Sequence, residues 1–466
     1  MTTTLKIIKN PKLMAAGLML SAFIGLFGET ALNMALTNIM ADFSVSTGTV
    51  QWLTTGYLLV LGILVPVSAL LLQWFTTRQL AVAALLFSIV GTVICAVAPN
   101  FTFLMLGRIA QAIGTGILIP LLMNVILVIF PIEKRGSVMG IMGLVITLAP
   151  AIGPTLSGII VDALSWHYIF WISLIFYIIL FIVWVPTIQN VSDITKPKID
   201  VLSIIYSTIG FGTLIYGLGT LAGTAITDPA VFIPLIIGAV ALVLFSIRQL
   251  KMDEPMINLR VFKFKNFLLG TILLFIGFSL ILSSAILLPL YLKGALLLTA
   301  VTAGLMMLPG NILNAILAPI VGRIFDKIGP RFLLIAGFAI TVVANVLFVF
   351  TMNSNPPQWI IIVAFALLCL GLAMSLMPAQ TNGLNELPPQ LYPHGAAAMN
   401  TLQQIAGAAG TALAITLMNI GMTQAEGKTE AALMASGTQY AFIFILAISI
   451  VGFILTLFVT PAKYKE

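Results

Sequence analysis

The hydrophobic positions of this chain form long blocks, which short polar, Gly, Pro or charged clusters separate. Nearly every block reaches the ~17–25 residues that a helix needs to cross the hydrocarbon core of a bilayer. Because lipid leaves an open chain no other way to satisfy its backbone, the pattern predicts an all-α membrane protein. The breaks predict about fourteen segments, at residues 13–40, 50–73, 80–98, 102–130, 137–161, 168–186, 201–222, 229–248, 267–292, 299–322, 332–352, 358–382, 395–421 and 438–460.

Composition agrees with this pattern, since 60% of the residues are hydrophobic and 8% are charged. Cys95 and Cys369 lie in different apolar segments without partner spacing, so we predict neither a disulfide framework nor a metal site. The chain has 21 Lys and Arg residues against 14 Asp and Glu. A nucleic-acid partner would require these cations to cluster on a soluble face, and we expect no such partner.

The basic residues follow the positive-inside rule when both termini are placed in the cytoplasm. Eighteen of the 21 Lys and Arg residues then fall in the tails and cytoplasmic loops. Lys293 and Lys428 fall outside, and Arg108 lies within the fourth segment. An odd number of segments would spoil this division. We therefore predict a multi-pass protein of the inner (cytoplasmic) membrane with cytoplasmic N- and C-termini.

Two long cytoplasmic connections, around residues 189–200 and 251–266, isolate one pair of segments between two blocks of six. The predicted organisation is an N-terminal six-helix bundle at residues 1–190, a linker with two extra transmembrane helices at 191–262, and a C-terminal six-helix bundle at 263–466.

One acidic residue, Glu29, lies deep within an apolar segment, whereas the other acids fall in loops, tails or helix ends. Its predicted depth is ~15 Å below the outer edge of the first segment. A bare carboxylate is costly there, so Glu29 should be protonated, paired or exposed to water in a cavity, and each state suits a proton carrier. The alternative is a fixed ion pair that only holds two helices together.

Small and polar residues recur at every fourth position along the helix face of Glu29. They are Ser21, Gly25, Asn33 and Thr37. Such a face either lines a wet path or packs tightly against a neighbouring helix. We predict that it contributes to the substrate cavity.

The deep cation Arg108 lies ~10 Å below the outer edge of the fourth segment. Its flexible side chain could reach Glu29, and we expect the two to be partners in proton coupling. Gln111 and Thr115 lie three and four positions further on. They share a helix face with Arg108 and are candidates for hydrogen bonds to water or substrate.

Two prolines interrupt the fifth segment four positions apart, with small residues around them. A proline removes a helix hydrogen bond, and small residues let a neighbouring helix approach closely. A kinked hinge is the functional interpretation, and the general tolerance of membrane helices for Gly and Pro is the alternative. The residues concerned are Pro150, Gly153, Pro154 and Gly158.

The loop after the tenth segment combines glycines with alternating charges. An acid between two arginines predicts a cytoplasmic charge latch that differs between two conformations. The candidate gate residues are Gly322, Arg323, Asp326, Gly329 and Arg331, with Arg78 in the loop after the second segment.

Met374, Met377 and Gln380 surround a proline in the twelfth segment. Flexible methionines could offer varied ligands an adaptable surface, although plain packing is the alternative. Catalytic interpretations fail: the run Gly427-Lys428-Thr429 lacks the spacing and the preceding strand of a phosphate loop. We expect no enzyme, no ATP use and no cofactor, with the proton gradient as the energy source.

Several stretches resemble the fourteen-helix drug:proton antiporter branch of the major facilitator superfamily, most closely its lincomycin-resistance-type multidrug exporters. They are residues 28–36 (GETALNMAL), 108–114 (RIAQAIG), 149–158 (APAIGPTLSG) and 166–170 (WHYIF). The resemblance covers nearly the whole chain. It implies two six-helix bundles around a central cavity, two extra helices outside them, and alternating access driven by inward proton flow.

The chain departs from the family pattern at two places. Many relatives carry an Asp at the position of Gly28, so the acid here is displaced by one residue, or ~100° around the helix. Gln73 and Thr76 replace the family's Asp and Gly in the loop that ends with Arg78. A latch in that loop should therefore be weaker than the one around Asp326.

The first hypothesis is proton-coupled export of amphipathic drugs, with a small molecule, protons and the lipid bilayer as partners and a monomer as the expected state. A dedicated exporter of an endogenous metabolite, lipid or signalling molecule is the second. A non-transporting membrane sensor or scaffold is the third.

Overall fold

The computed structural model describes residues 10–45, 47–191, 194–196, 200–221, 227–298, 300–352, 356–424 and 429–461, which contain fifteen α-helices and no β-strand. The all-α class is thereby confirmed. The helices are α1 Pro11–Ala31, α2 Leu36–Phe43, α3 Thr47–Trp74, α4 Thr77–Ala96, α5 Phe101–Ile129, α6 Ile132–Ala163, α7 His167–Val183, α8 Val201–Leu221, α9 Pro229–Lys251, α10 Lys265–Gly294, α11 Ala300–Ile328, α12 Pro330–Thr351, α13 Gln358–Asn385, α14 Tyr392–Thr423 and α15 Glu430–Thr456.

The first predicted segment is divided in the structure. A 3₁₀ turn at Leu32–Ala35 separates α1 from α2 and begins three residues after Glu29. A 3₁₀ stretch within a longer helix often marks a hinge. The sequence pattern did not predict this break, because no Gly or Pro lies within the turn.

Among the described residues, twelve helices are long and apolar enough to cross a membrane. The bent helix α3, whose parts Trp52–Leu64 and Pro66–Trp74 meet at 53°, makes thirteen. Pro66 explains the bend, because it removes a helix hydrogen bond. The 32-residue helix α6 is not among them. The count of fourteen spans and the cytoplasmic position of the termini stay predictions.

Charged residues gather at one end of the bundle, which we call the basic end. It contains the start of α6 and the ends of α9 and α11, with Lys134, Arg248, Lys251 and Lys327. The opposite end contains the start of α5 at Phe101.

Two helix groups make up most of the molecule. The first group is α1 to α7 and the second is α10 to α15; α8 and α9 pack against each other, and α8 also contacts α3 and α14. The largest hydrophobic cluster contains residues of both groups, and its members from the first group, such as Leu127 and Met139, lie in the half nearest the basic end. Around Leu53, Leu104 and Trp166, the other half of the first group forms a separate cluster. The two groups therefore share a core at the basic end.

Candidate functional site

Arg108 lies at the centre of the first group and is 1% exposed. Its Nη1 donates hydrogen bonds to the Gly28 carbonyl oxygen of α1 at 3.1 Å and to Gln111 Oε1 at 3.0 Å. Nε donates to the Leu53 carbonyl oxygen of α3 at 3.4 Å, and the guanidinium carbon lies 4.3 Å from the centre of the Tyr57 ring. Three helices thus surround this cation with neutral oxygens and one aromatic face.

Glu29 lies one residue beyond the carbonyl that Arg108 binds, and its side chain is half-buried. The expected ion pair between Glu29 and Arg108 is not formed: in the part of the chain that the structure describes, the ion pair is Arg248 with Asp200. The one-residue displacement turns the carboxylate away from the face that Gly28 presents. Arg108 Nη2 is buried and has no hydrogen-bond partner among the described residues, so one donor remains for an acid or a substrate.

A hydrogen-bonded chain continues from Arg108 across α3, α4 and α5. Gln111 Nε2 donates to Thr92 Oγ1 at 2.8 Å. The Tyr57 hydroxyl donates to Thr115 Oγ1 at 2.8 Å and lies 3.2 Å from the Gly25 carbonyl oxygen. Gln111 and Thr115, predicted as substrate contacts, are therefore already bonded within the first group, where they orient Arg108.

The polar face of α1 packs tightly near the basic end and opens near Glu29. Ser21 is fully buried and donates to the Gly17 carbonyl oxygen at 2.8 Å. A methyl group on Gly25 would collide with Thr115, whereas one on Gly28 would meet open space. The side chains of Asn33 and Thr37 fall outside the described residues. Of the two interpretations of this face, packing holds for Ser21 and Gly25.

A narrow cavity lies beside Gly28 in the first group. It is lined from α1, α3, α5 and α7 by residues that include Gly25, Gly28, Tyr57, Gln111 and Tyr177. The polar atoms of Tyr57 and Gln111 give it hydrogen-bonding partners. Because buried water needs such polar partners, the cavity suits water rather than a drug-sized molecule.

The stretch with two prolines at residues 149–158 lies in α6, which is one helix from Ile132 to Ala163 and contacts the site. A methyl group on Gly153 would collide with Thr30 Oγ1, in the residue next to Glu29. A methyl group on Gly158 would approach Met34 Cε to 3.8 Å, an ordinary contact. The side chains of Pro150 and Pro154 fall outside the described residues, so the predicted kink stays a prediction.

A second constellation joins the two helix groups at the basic end. Asp326 of α11 accepts hydrogen bonds from Gly136 N and Ser137 N of α6, both at 2.8 Å, and from Ser137 Oγ. Arg323 and Arg331 are exposed. The predicted latch residue therefore binds backbone and hydroxyl donors of the other group, rather than its flanking arginines, because N–H groups near a helix start favour a carboxylate.

Arg135 bridges the same two groups and is 9% exposed. Its Nη1 donates at 3.0 Å to both Asn385 Oδ1 of α13 and the Tyr392 hydroxyl oxygen of α14. Nε donates to the Phe130 carbonyl oxygen at 3.1 Å, and Nη2 donates to the Leu127 carbonyl oxygen. The sequence pattern placed Arg135 among the topology-setting loop cations and missed this role.

Glycines bring α6 and α11 into backbone contact beside these polar bonds. A methyl group on Gly322 would collide with the Gly136 carbonyl oxygen, and one on Gly140 would lie 2.5 Å from the Ala318 carbonyl oxygen. Gly329 immediately precedes α12 and has φ +78°, in the left-handed region that favours glycine. Small residues therefore allow the close approach at the predicted gate.

The predicted adaptable surface of α13 is divided between two environments. Met377 packs against Gly143 of α6, with Cγ 2.8 Å from where a Gly143 methyl would lie. Met374 packs with Val321, Phe325 and Leu333 of α11 and α12.

A methionine sulfur links the groups beside Met377. Gln380 Nε2 lies 3.8 Å from Met123 Sδ of α5, and Asn400 Nδ2 of α14 lies 3.5 Å from it. Sulfur is a weak acceptor. Gln380 Oε1 is buried without a hydrogen-bond partner in the described part of the chain.

The structure places Arg78 and Asp326, both predicted in loops, at the start of α4 and near the end of α11, and the two helix ends are held differently. Thr195 N donates to the Gln73 carbonyl oxygen at 3.1 Å, Val191 N donates to Thr77 Oγ1 at 3.3 Å, and Arg78 N donates to Asn190 Oδ1 at 3.1 Å. All of these partners follow α7 in the chain. The gate role predicted for Arg78 is therefore not accompanied by a bond from its guanidinium to the second group among the described residues.

The sequence pattern missed several residues of these constellations, namely Tyr57, Thr92, Arg135, Ser137, Asn385 and Tyr392. Tyr57 and Thr92 are polar side chains within apolar segments, which is too common a feature to single them out.

Comparisons with known proteins agree with this geometry. The sequence profile of the Major Facilitator Superfamily matches residues 18–411. The lincomycin resistance protein LmrB of Bacillus subtilis (strain 168) is 52% identical over 475 residues, which cover 99% of this chain and 98% of the relative. LmrB of Listeria monocytogenes serovar 1/2a (strain ATCC BAA-679 / EGD-e) is 52% identical and covers 96% of both chains.

A solved structure, the proton:xylose symporter XylE, superposes with a TM-score of 0.67 at 13% identity. The superposition covers 97% of this chain and 96% of that chain, which supports the fold alone. The match of the family profile and the two close relatives together establish the family and a multi-pass membrane location. The chain is a transporter, not an enzyme, and it belongs to the Major Facilitator Superfamily.

Proposed function

We propose that this transporter exports amphipathic drugs in exchange for protons by alternating access. The proposal places fourteen spans in the membrane as six plus two plus six, with divisions at 1–190, 191–262 and 263–466 and both termini in the cytoplasm. The basic end then faces the cytoplasm, in accord with the positive-inside rule.

The observation that carries the proposal is the closure of one end of the bundle by breakable bonds. Arg135 and Asp326 join the two helix groups through neutral partners, and Gly136 and Gly322 let the helices touch. The first group has a separate hydrophobic cluster at the opposite end. This arrangement suits an outward-facing state, from which the two groups would rock to open the basic end.

Glu29 is the proposed proton carrier. It is half-buried near the end of α1, it precedes the 3₁₀ turn at Leu32–Ala35 by three residues, and its neighbour Thr30 contacts Gly153. A charged carboxyl group at such a depth has a high free-energy cost, so its presence indicates a function. Arg108 binds the carbonyl oxygen of the preceding residue, Gly28, and its Nη2 has no partner among the described residues. A local movement would therefore bring the negative form of Glu29 within reach of this cation.

The substrate class follows from the relatives and from the charges of the site. Two relatives are named for resistance to lincomycin. Gln111 lies beside Arg108, and buried carboxamides and methionines, Gln380, Asn400, Met123 and Met377, lie where the two helix groups meet, which suits amphiphiles that make a few hydrogen bonds. We propose a monomer that needs no cofactor.

Transport by the Glu29→Gln variant tests the proposal. We expect inverted vesicles with an imposed pH gradient to accumulate radiolabelled lincomycin with the wild-type chain. Accumulation should fall to the level of empty vesicles with the variant, because glutamine cannot carry the proton. Exchange of unlabelled for labelled lincomycin without a gradient should persist, since alternation with bound substrate needs no proton release.

Glu133→Gln is the matched control, since it removes the same charge from an exposed position at the start of α6. Undiminished gradient-driven accumulation by Glu29→Gln would remove Glu29 from the mechanism. Accumulation that is insensitive to the gradient in the wild type would contradict proton coupling itself.

A further inference from the structure

A groove opens at the basic end beside the start of α4. It is lined by Thr76, Arg78, Gln79, Val82, Ala83, Leu86 and Asn190. Its polar residues lie at the helix start, and its apolar residues lie one and two turns further along the same helix face. Leu86 is 44% exposed and Phe87 beside it is 42% exposed, as expected for residues that face lipid. The groove thus runs from the membrane surface into the hydrocarbon.

The walls of the groove are fixed by hydrogen bonds within the first group. Asn190 Oδ1 accepts from Arg78 N at 3.1 Å, and Val191 N donates to Thr77 Oγ1 at 3.3 Å. Thr76 Oγ1 accepts from Gln79 N at 3.1 Å, and Gln79 Oε1 accepts from Thr76 N at 3.0 Å. The groove therefore exists before any ligand arrives.

These bonds occupy the backbone N–H groups of Thr76, Arg78 and Gln79 but leave the side-chain donors of Arg78 and Gln79. The Arg78 guanidinium is exposed, and the ion pair of the described residues involves Arg248 instead. With its oxygen held by Thr76, the amide group of Gln79 presents its nitrogen away from the helix start. A planar cation and an amide donor above an apolar wall match a phosphodiester above an acyl chain.

We propose that this groove binds one anionic phospholipid, with its phosphodiester on Arg78 and Gln79 and an acyl chain along Val82, Ala83 and Leu86. Charge complementarity favours an anionic headgroup over a zwitterionic one, because the described residues that line the groove include Arg78 and no acidic residue. The lipid would tie α4 to the segment that follows α7. This proposal requires the membrane location of the chain and is independent of the proton role of Glu29.

Native mass spectrometry of the full chain, released from nanodiscs of phosphatidylcholine and phosphatidylglycerol, tests the site. The wild type should retain one phosphatidylglycerol in preference to phosphatidylcholine. Arg78→Gln should lower that retained fraction about fivefold, the change expected for one Arg at an anionic surface. Leu86→Trp keeps the charge but fills the groove, and it should lower retention to a similar extent.

Arg331→Gln is the matched control. Arg331 is the second residue of α12, as Arg78 is of α4, and it is exposed. The Arg331→Gln variant should retain phosphatidylglycerol as the wild type does. Equal losses in Arg78→Gln and Arg331→Gln would show a general effect of charge, and full retention by Leu86→Trp would show a headgroup contact without a groove. Either result, or equal retention of both lipids by the wild type, would overturn the proposal.

Discussion

Two buried arginines, Arg108 and Arg135, have similar surroundings but different positions in the molecule. Each donates to two backbone carbonyls and to a side-chain amide oxygen, and each lies over a tyrosine ring. The ring centres of Tyr57 and Tyr392 lie 4.3 and 5.1 Å from the respective guanidinium carbons. Neither arginine has a carboxylate partner among the described residues.

The difference lies in which helices supply the oxygens. All partners of Arg108 belong to the first group, in α1, α3 and α5. Two partners of Arg135, Asn385 and Tyr392, belong to the second group. A rocking movement between the groups would leave the Arg108 set intact and would break the Arg135 set. One arginine thus organises an internal site and the other holds an interface.

Replacement of Arg108 should have the largest effect. Arg108→Leu leaves Gln111 Oε1 buried without its donor and removes the side-chain bonds to the Gly28 and Leu53 carbonyl oxygens, which should lower the unfolding free energy by about 3 kcal/mol and abolish export. Arg108→Lys keeps the charge but cannot make the forked contacts, so export should still fail with a smaller loss of stability. Thermal unfolding and vesicle transport measure the two effects. Normal export by Arg108→Lys would show that charge alone is needed.

Restoration of the family pattern beside Arg108 should have the next largest effect. Open space surrounds the position of a Gly28 side chain, so an aspartate fits there. In the Glu29→Gln background, Gly28→Asp should restore part of the gradient-driven lincomycin accumulation, because it presents a carboxylate to Arg108. Gly28→Asn is the isosteric control and should restore none. Equal activity of the two double variants would contradict the proton role of an acid at this turn.

Weakening of the Arg135 contacts should shift conformation more than stability. Arg135→Gln removes the two bonds to the second group, so the closed form of the basic end should lose about tenfold in population. Spin labels at Glu133 and Lys327, both exposed, would report longer distances by pulsed electron resonance. Lys134→Gln, an exposed neighbour, should leave the distance distribution unchanged.

A double-mutant cycle sharpens this result. Asp326→Asn weakens the bonds to Gly136 and Ser137 at the same interface. If Arg135 and Asp326 stabilise the same closed state, Asp326→Asn should change the distance distribution less in the Arg135→Gln background than in the wild type. Strict additivity would show that Arg135 and Asp326 act on separate movements.

Much of the fold followed from the apolar blocks, because helix length in a bilayer is set by its thickness. The predicted segments 201–222 and 229–248 correspond to α8 at Val201–Leu221 and α9 at Pro229–Lys251. The fifth segment was predicted too short, since Glu133, Lys134 and Arg135 were assigned to a loop but lie within α6. Charge marks the membrane surface, and it does not by itself end a helix.

The candidate site was less accessible to sequence reasoning. Glu29 and Arg108 stood out because charge is rare in apolar segments, and Asp326 stood out because it lies between Arg323 and Arg331. Their partners did not stand out: Asp326 binds residues about 190 positions away, and Arg135 contacts Asn385 across 250 positions. Hydrophobic periodicity carries no information on such pairs. A backbone carbonyl occurs in every residue, so the sequence does not indicate which carbonyl an arginine binds.

The smallest effect is expected at Arg248, the arginine with a carboxylate partner. Its Nε lies 2.5 Å from Asp200 Oδ2, and the pair joins the start of α8 to the end of α9, two helices that pack together and need not separate. Arg248 holds the pKa of Asp200 at about 2, below its usual range. A depressed pKa stabilises the fold above the unfolded-state pKa of ~3.9 and loses that effect as the pH falls toward 2.

Asp200→Asn should therefore lower the thermal unfolding midpoint slightly and by the same amount at every pH from about 5 to 8. Lincomycin export should be unchanged, because the pair bridges no moving interface. A loss of export in Asp200→Asn with normal stability would place α8 and α9 within the transport cycle, so that a fixed ion pair would no longer distinguish static helices from moving ones.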